Sequence, residues 1–467
     1  MKLDLRNFDK SKLFHFIGIA GIGMSSIAEA MNSWGFNVQG SNDVENENIK
    51  SLQAAGIKVF LGHKAENIHG ADYVVFSSAV PPSNAELSAA RAFGIPVIER
   101  AEMLDSLMLL KKGIAVAGTH GKTTTTSFIG TMLDSASLSP TIVNGGIMNY
   151  YHSHNRIGDG EWLVAEACEA YGNLAYFTPT IAVITNIDAE HLDFYKTFDN
   201  LKQAFRDFIA KVPLDGLFVA CVDHPILKEL VEEFAETKNI STYGFKDADI
   251  TADGIRQDAD GLRFDVAVRD YGVIRDLHIP LAGRHNIQNA LAAIAVARFL
   301  DIPDDEVRRA LERFQGVKHR FTLVGEALGA RIYDDYAHHP KEIETTLAMA
   351  RSVAQDGRVF ALFEPHRYSR ITDLFYDFAK CFKQADKVLV LPIYSAGESQ
   401  DGMKSRADLA AEIAKNTPAA SPDSLKEAAG MLSAELKPGD LVVSMSAGSL
   451  KNLVPALPGM LSYECKV

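Results

Sequence analysis

Residues Gly118-Thr119-His120-Gly121-Lys122-Thr123-Thr124 follow an apolar run at 114–117 and precede a segment of helical pattern. That order of types suits a phosphate. Glycines let backbone N–H groups close on phosphate oxygens, and a helix N-terminus adds roughly half a positive charge. Lys122 supplies a full charge and the Thr123 hydroxyl can complete a Mg²⁺ shell. The common form of this loop carries a further glycine where this chain has Val116. A glycine turn with a surface lysine is the plain alternative, and it leaves the four threonines at 123–126 without a purpose.

A second glycine turn, Gly18, Gly21 and Gly23 in GIAGIGMS, opens the chain's first strand-to-helix passage. Its G-x-x-G-x-G order differs from the dinucleotide fingerprint, although close backbone approach to a pyrophosphate needs the same absence of side chains. Asp43 stands about twenty residues on, where a carboxylate commonly meets a ribose hydroxyl. From this segment alone a nucleotide-dependent oxidoreductase, a UDP-type site and a mere packing turn all stay open. A third group is Glu166, ending a strand-like run, with His191 and Asp193 after the next one in TNIDAEHLD. In a parallel sheet both would project from the carboxyl edge beside the phosphate loop, where a carboxylate and an imidazole suit a second divalent cation. A capping or core histidine is the alternative for His191; Asn186, Asp188 and Asp193 nearby weigh against it.

The elements that must hold these groups are short β-branched runs alternating with helical patterns, the mark of an α/β chain with parallel sheets. With 467 residues, 47% of them hydrophobic, the chain is long enough for several domains. Boundaries are expected near 111 and 316, giving blocks 1–111, 112–316 and 317–467, with an antiparallel piece around 240–280 and a long helix from His285. A net charge of −13 leaves no broad basic surface for nucleic acid or an anionic membrane. No apolar run is long enough to span a bilayer, and the first twelve residues do not read as a signal peptide. Four scattered cysteines, Cys168, Cys221, Cys381 and Cys465, form neither a disulfide framework nor a metal pair, which fits a reducing cytoplasm.

Taken in order, GIAGIGMS, GTHGKTTTT, NIDAEHLD, AGRHNIQNALAA, DDYAHHP and FEPHRYSR resemble the Mur ligase family over nearly the whole chain. The resemblance implies three domains: a Rossmann-like UDP-sugar-binding domain, a central P-loop ATPase domain with a mainly parallel sheet, and a Rossmann-like amino-acid-binding domain. It implies ATP and two Mg²⁺ as cofactors, UDP-N-acetylmuramate and L-alanine as substrates, and amide formation through an acyl phosphate. The closest rival within the family is a recycling ligase that attaches a ready-made peptide to the same UDP-sugar.

Carried over by position, the resemblance gives the ATP phosphates to Gly118 through Thr124. It gives the cations to Thr123, Glu166 and His191, and catalysis to Lys122, Glu166 and His191. His285, Asn286 and Asn289 are implied on the adenine side, with Arg320 and Asp335 reaching ATP from the third block. Gly18, Gly21, Gly23, Met24, Ser25, Asp43, Ser77, Ser78 and Ala79 are implied for the UDP-sugar. His338, Arg367 and Arg370 are implied for the amino acid, and two guanidiniums suit a carboxylate on geometric grounds. The chain departs from relatives at Glu166-Ala167-Cys168-Glu169, where an acidic residue is usual at the third position, and at SAGS, 446–449. No lysine is assigned the carbamylated role found in many relatives, and either a monomer or a homodimer is compatible with the sequence.

Overall fold

The computed structural model describes residues 3–258 and 260–464, so Cys465 lies outside the described residues. It is an α/β protein with three sheets in two compact units, 1–316 and 317–467. The first sheet consists of β1 (Leu13–Ile17), β2 (Asn37–Asn42), β3 (Lys58–Leu61), β4 (Tyr73–Phe76) and β5 (Val97–Glu99). All pairings are parallel and the order is β3-β2-β1-β4-β5. The order reverses between β1 and β4, and ligands of such sheets bind beyond the carboxyl ends of the strands at that point.

The second sheet has ten strands: β6 (Lys112–Ala117), β7 (Thr141–Met148), β8 (Ser153–Arg156), β9 (Trp162–Glu166), β10 (Ile181–Ile184), β11 (Leu217–Cys221), β12 (Ile240–Gly244), β13 (Ile250–Asp258), β14 (Gly261–Val268) and β15 (Gly272–Ile279). Its order is β15-β14-β13-β12-β11-β10-β6-β9-β7-β8. The centre is parallel, and β8, β14 and β15 add antiparallel edges. The antiparallel piece therefore begins later than the sequence suggests, because β12 still runs parallel to β11. Residues 113–117 of β6, 163–165 of β9 and the whole of β10 are buried and small or branched apolar in type, which explains their continuous hydrophobic runs.

Two helices pack together over this sheet, Lys122–Ser135 and Arg284–Phe299. The second buries Ile287, Leu291, Ile294 and Val296, each stabilising by about 1.5–3 kcal/mol relative to exposure. One continuous buried cluster includes Phe14 and Phe16 of β1 as well as Ile114 and Val116 of β6, so the first two sheets share a core.

The second unit carries β16 (Thr322–Ala327), β17 (Ala330–Asp335), β18 (Val359–Glu364), β19 (Lys387–Val390), β20 (Ala419–Ala420) and β21 (Leu441–Ser446). Their order is β16-β17-β21-β18-β19-β20, antiparallel between β16 and β17 and parallel elsewhere. Ile332, Leu362, Leu389 and Val442 belong to a core cluster confined to this unit. No helix among the described residues is long and apolar enough to cross a membrane.

Candidate active site

The loop 118–121 joins β6 to the helix Lys122–Ser135, and β6 lies between β9 and β10. Parallel pairing brings the carboxyl ends of all three strands together. Gly118 and Gly121 have φ of +126° and +83°, which lets the chain reverse into the helix without a Cβ clash. The segment after β10 braces the loop: His120 N–H donates to Asn186 Oδ1 at 2.8 Å, Thr185 Oγ1 donates to the His120 carbonyl at 2.6 Å, and Asp188 N–H donates to Thr119 Oγ1 at 2.8 Å.

Lys122 heads the helix. Its ammonium donates to the carbonyls of Gly118 and Thr119 and lies 3.0 Å from Glu169 Oε2. Burial penalises that charge, but Glu169 first, with Cys168 and Glu166 beside it, together outweigh the penalty and raise the lysine above its ordinary range. Asn286 and Asn289 are buried on the neighbouring helix, and Asn289 Oδ1 accepts from Thr125 Oγ1 at 3.1 Å. A Cβ added at Gly121 would come within 2.8 Å of that same oxygen, so Asn289 closes directly on the loop. His285, half-buried, opens the same helix beside them.

Glu166 ends β9, and its Oε1 accepts from Gly145 N–H at 2.6 Å. Glu169, three residues on, is almost fully buried and faces both Lys122 and His191 Nε2, the latter at 3.8 Å. Ligand atoms of Glu169, Glu190 and His191 all lie within 4.8 Å of one another. One imidazole and two carboxylates suit a divalent cation that accepts oxygen and nitrogen donors. The sequence pairs His191 with Glu166; the structure gathers Glu169 and Glu190 around it. The sequence reading selects neither, although a glutamate three residues past a buried strand and another beside the histidine are visible there. Burial first, and then Glu169, push the Cys168 thiol upward, which keeps this unusual residue protonated and a poor nucleophile.

In the first sheet the turn 18–21 follows β1, and Ser77, Ser78 and Ala79 follow β4, on the two sides of the switch point. Gly18 has φ +73° and its carbonyl accepts from Gly21 N–H at 3.0 Å. A Cβ at Gly23 would meet Arg100 Nη1 at 3.1 Å, so a guanidinium lies against the turn. Met24 and Ser25 are buried in the following helix; Ser25 Oγ contacts His154 Nε2 of β8 at 2.9 Å and ties this turn to the second sheet. Asp43 follows β2, its side chain exposed and its Oδ1 3.1 Å from His63 Nε2.

In the second unit His338, His366 and Arg370 come together. The two imidazoles stand 6.0 Å apart, and Arg370 Nη1 is 3.2 Å from His366 Nδ1. A guanidinium only donates, so Nδ1 of His366 is the bare acceptor and Nε2 carries the hydrogen. Burial, then Arg370, His338 and Arg367, hold His366 down at about 4. Its ring also stacks on Tyr394, with centroids 5.4 Å apart. His366 and Tyr394 are cluster members that sequence reasoning did not select. Arg367 is exposed at φ +68°, where its N–H donates to the Tyr394 carbonyl at 2.8 Å. Arg320 lies over the Tyr336 ring. Asp335 is buried, and its carboxylate accepts from Phe321 N–H, Ala337 N–H and Thr346 Oγ1, a set of partners that makes it a brace for the turn after β17.

Comparison with known proteins gives a uniform result. Residues 13–118 match the Mur ligase family catalytic domain, residues 116–297 the Mur ligase middle domain, and residues 319–448 the Mur ligase glutamate ligase domain. The chain is 46% identical over 463 residues to a UDP-N-acetylmuramate--L-alanine ligase of Azorhizobium caulinodans, covering 96% of this chain and 97% of the relative. It is 46% identical over 458 residues to the enzyme of that name from Sinorhizobium medicae, with the same coverage. Among solved structures, a UDP-N-acetylmuramate-alanine ligase of Thermotoga maritima superposes with a TM-score of 0.80 at 28% identity, over 97% of this chain and 99% of the other. A murein peptide ligase of Psychrobacter arcticus shares the fold at TM-score 0.69 and 22% identity, over 97% of this chain and 99% of the other.

Proposed function

Because the chain belongs to the Mur ligase family, we propose that it is an ATP-dependent ligase that joins L-alanine to the carboxylate of UDP-N-acetylmuramate in the making of peptidoglycan precursors. The observation that carries this reading is the identity of 46% to L-alanine ligases along 96% of the chain. The recycling alternative has less support, since relatives at 45–46% identity along 96% of the chain carry the L-alanine ligase name.

In this reading the muramyl carboxylate attacks the γ-phosphorus of ATP. The new O–P bond forms as the bond to ADP breaks, leaving an acyl phosphate. The uncharged amine of alanine then attacks the acyl carbon, phosphate departs, and the amine's surplus proton passes to solvent. No protein nucleophile is needed. The loop 118–124 cradles the phosphates, and Lys122, kept charged by Glu169, offsets the negative charge that develops on the transferring group. Thr123 and Glu166, and His191 with the Glu169 and Glu190 carboxylates beside it, are the residues that would hold Mg²⁺. When bound, the cation draws charge from the phosphoryl oxygens. Asn286, Asn289 and His285 serve the nucleoside end of ATP. The turn 18–25, Asp43 and 77–79 serve the UDP-sugar, and His338, Arg367 and Arg370 the alanine carboxylate. Free thiols at Cys168, Cys221 and Cys381 agree with a cytoplasmic setting.

The test is to incubate the protein with UDP-N-acetylmuramate, ATP and Mg²⁺ and to offer alanine, serine, glycine or L-alanyl-D-glutamyl-diaminopimelate as amine. Mass analysis should find the alanyl product, with one ADP released per bond. Preferential use of the peptide, or bond formation without ADP, overturns the reading.

A further inference from the structure

Glu86 is a fully buried carboxylate in the helix Ala85–Ala92, and its two oxygens gather donors from four other segments. Ser41 Oγ at the end of β2 donates to Oε2 at 2.5 Å, and Asn67 Nδ2 donates to Oε1 at 2.5 Å. His63 Nδ1 stands 3.2 Å from Oε2, His15 Nε2 of β1 stands 3.4 Å from it, and Lys64 N–H reaches Oε1 at 3.4 Å. Burial alone would raise this carboxyl, but the hydrogen bonds from His15, Ser41 and Asn67 bring it below its ordinary value. A buried charge with this many partners is expensive to assemble and acts as a rigid node once assembled.

The node connects to the glycine turn through Ser41, near the carboxyl end of β2. Ser41 spends its hydroxyl hydrogen on Glu86, so its oxygen is free to accept from His63 Nδ1, 2.9 Å away. With Nδ1 donating inward, the His63 ring turns Nε2 outward to Asp43 Oδ1 at 3.1 Å, a contact that holds the carboxylate when the imidazole carries a hydrogen on both nitrogens. Ser41 also joins the glycine turn through its carbonyl, which accepts from Ile19 N–H at 2.9 Å. The side chain of Glu86 is wholly covered while that of Asp43 is 74% exposed, so the chain Glu86, His63, Asp43 runs from the interior to the mouth of the turn.

We infer that Glu86 is a positioning residue for the nucleoside end of the UDP-sugar: through His63 it fixes the carboxylate of Asp43 where a ribose hydroxyl is to be received. This rests on the proposed assignment of the glycine turn and Asp43 to the UDP-sugar. A flexible carboxylate would lose part of its binding energy in being ordered, and a preset one keeps it.

The experiment titrates UDP by calorimetry against Glu86→Gln, His63→Gln, Asp43→Ala and the double variant Glu86→Gln/Asp43→Ala. KM values for UDP-sugar, ATP and alanine are measured alongside. Each single variant should weaken UDP about tenfold, and the double variant should be no weaker than Asp43→Ala alone. In Glu86→Gln and His63→Gln the KM for UDP-sugar should rise in step, with kcat and the KM for ATP within about twofold of the parent. A folded Glu86→Gln with unchanged UDP affinity, or a loss that adds fully to that of Asp43→Ala, overturns the inference. If Glu86→Gln shows no cooperative melting, His63→Gln decides by the same criterion. Unchanged UDP affinity in Asp43→Ala overturns instead the assignment of the turn on which the inference stands.

Discussion

Lys122 keeps its charge in a place where burial opposes it, because Glu169 lies 3.0 Å away. Removing the ammonium leaves Glu169 buried with an uncompensated charge and takes the cation from the phosphates. Lys122→Ala should therefore lower kcat by about a thousandfold or more, while calorimetry finds UDP-sugar affinity unchanged, since the glycine turn 18–23 belongs to a different sheet. In the second unit Arg370 contacts His366 Nδ1 with one nitrogen of a planar fork. Arg370→Lys retains charge but not the fork, so the KM for alanine should rise about tenfold or more, with the KM for ATP changing less. Initial rates at varied alanine and ATP measure both. His366 carries a third expectation. Its folded value of about 4 lies below the ordinary 6.5, so between those values the unfolded chain binds the extra proton. That contribution to stability is present above about 6.5 and is lost as the pH falls. The drop in melting temperature between pH 7 and pH 5 should be smaller in His366→Phe than in the parent.

At the scale of elements, function depends on strand ends. β6 is flanked by β9 and β10, so one loop, one carboxylate segment and one imidazole segment converge from distant parts of the sequence. The loop can make its turn only because Gly118 has φ +126°, and a Cβ there would overlap Thr185 Oγ1 and lie 2.9 Å from the Asn186 carbonyl oxygen. Gly118→Ala must push away the Asn186 backbone, whose carbonyl accepts from Thr119 N–H of the loop. It should cost about 1–3 kcal/mol of stability and raise the KM for ATP. Chemical denaturation and ATP-dependent initial rates check the two parts, and a variant with parental stability and KM would sink the account.

At the scale of the whole molecule, the first two sheets share one buried cluster, whereas residues 317–467 have a core of their own around Ile332, Leu362 and Val442. A fragment 317–467 should therefore fold alone and melt cooperatively, with circular dichroism showing the mixed helix and strand of the intact chain. A fragment 1–111 cut at the expected first boundary should be less stable, because the cut strips Phe14, Phe16 and their neighbours of partners across that cluster. Calorimetric scans of the two fragments and the full chain make the comparison.

The α/β class and the family are legible along the chain, because strand and helix patterns and glycine turns are local in origin, and six motifs keep their order. The sequence also contained the phosphate loop, whose residues are neighbours in sequence. What it could not determine is which side chains meet across elements. Glu166 and Glu169 are three residues apart, yet Glu169 pairs with Lys122 and faces His191 while Glu166 accepts from Gly145 N–H, and that depends on how the chain bends after β9. Glu86 and Asp335 look like ordinary acidic residues in the sequence, and only packing buries them among donors from distant segments. Spacing along a chain fixes the chemistry available to a loop; the meeting of groups from separate strands is fixed by strand order and burial, and these exist only in the folded protein.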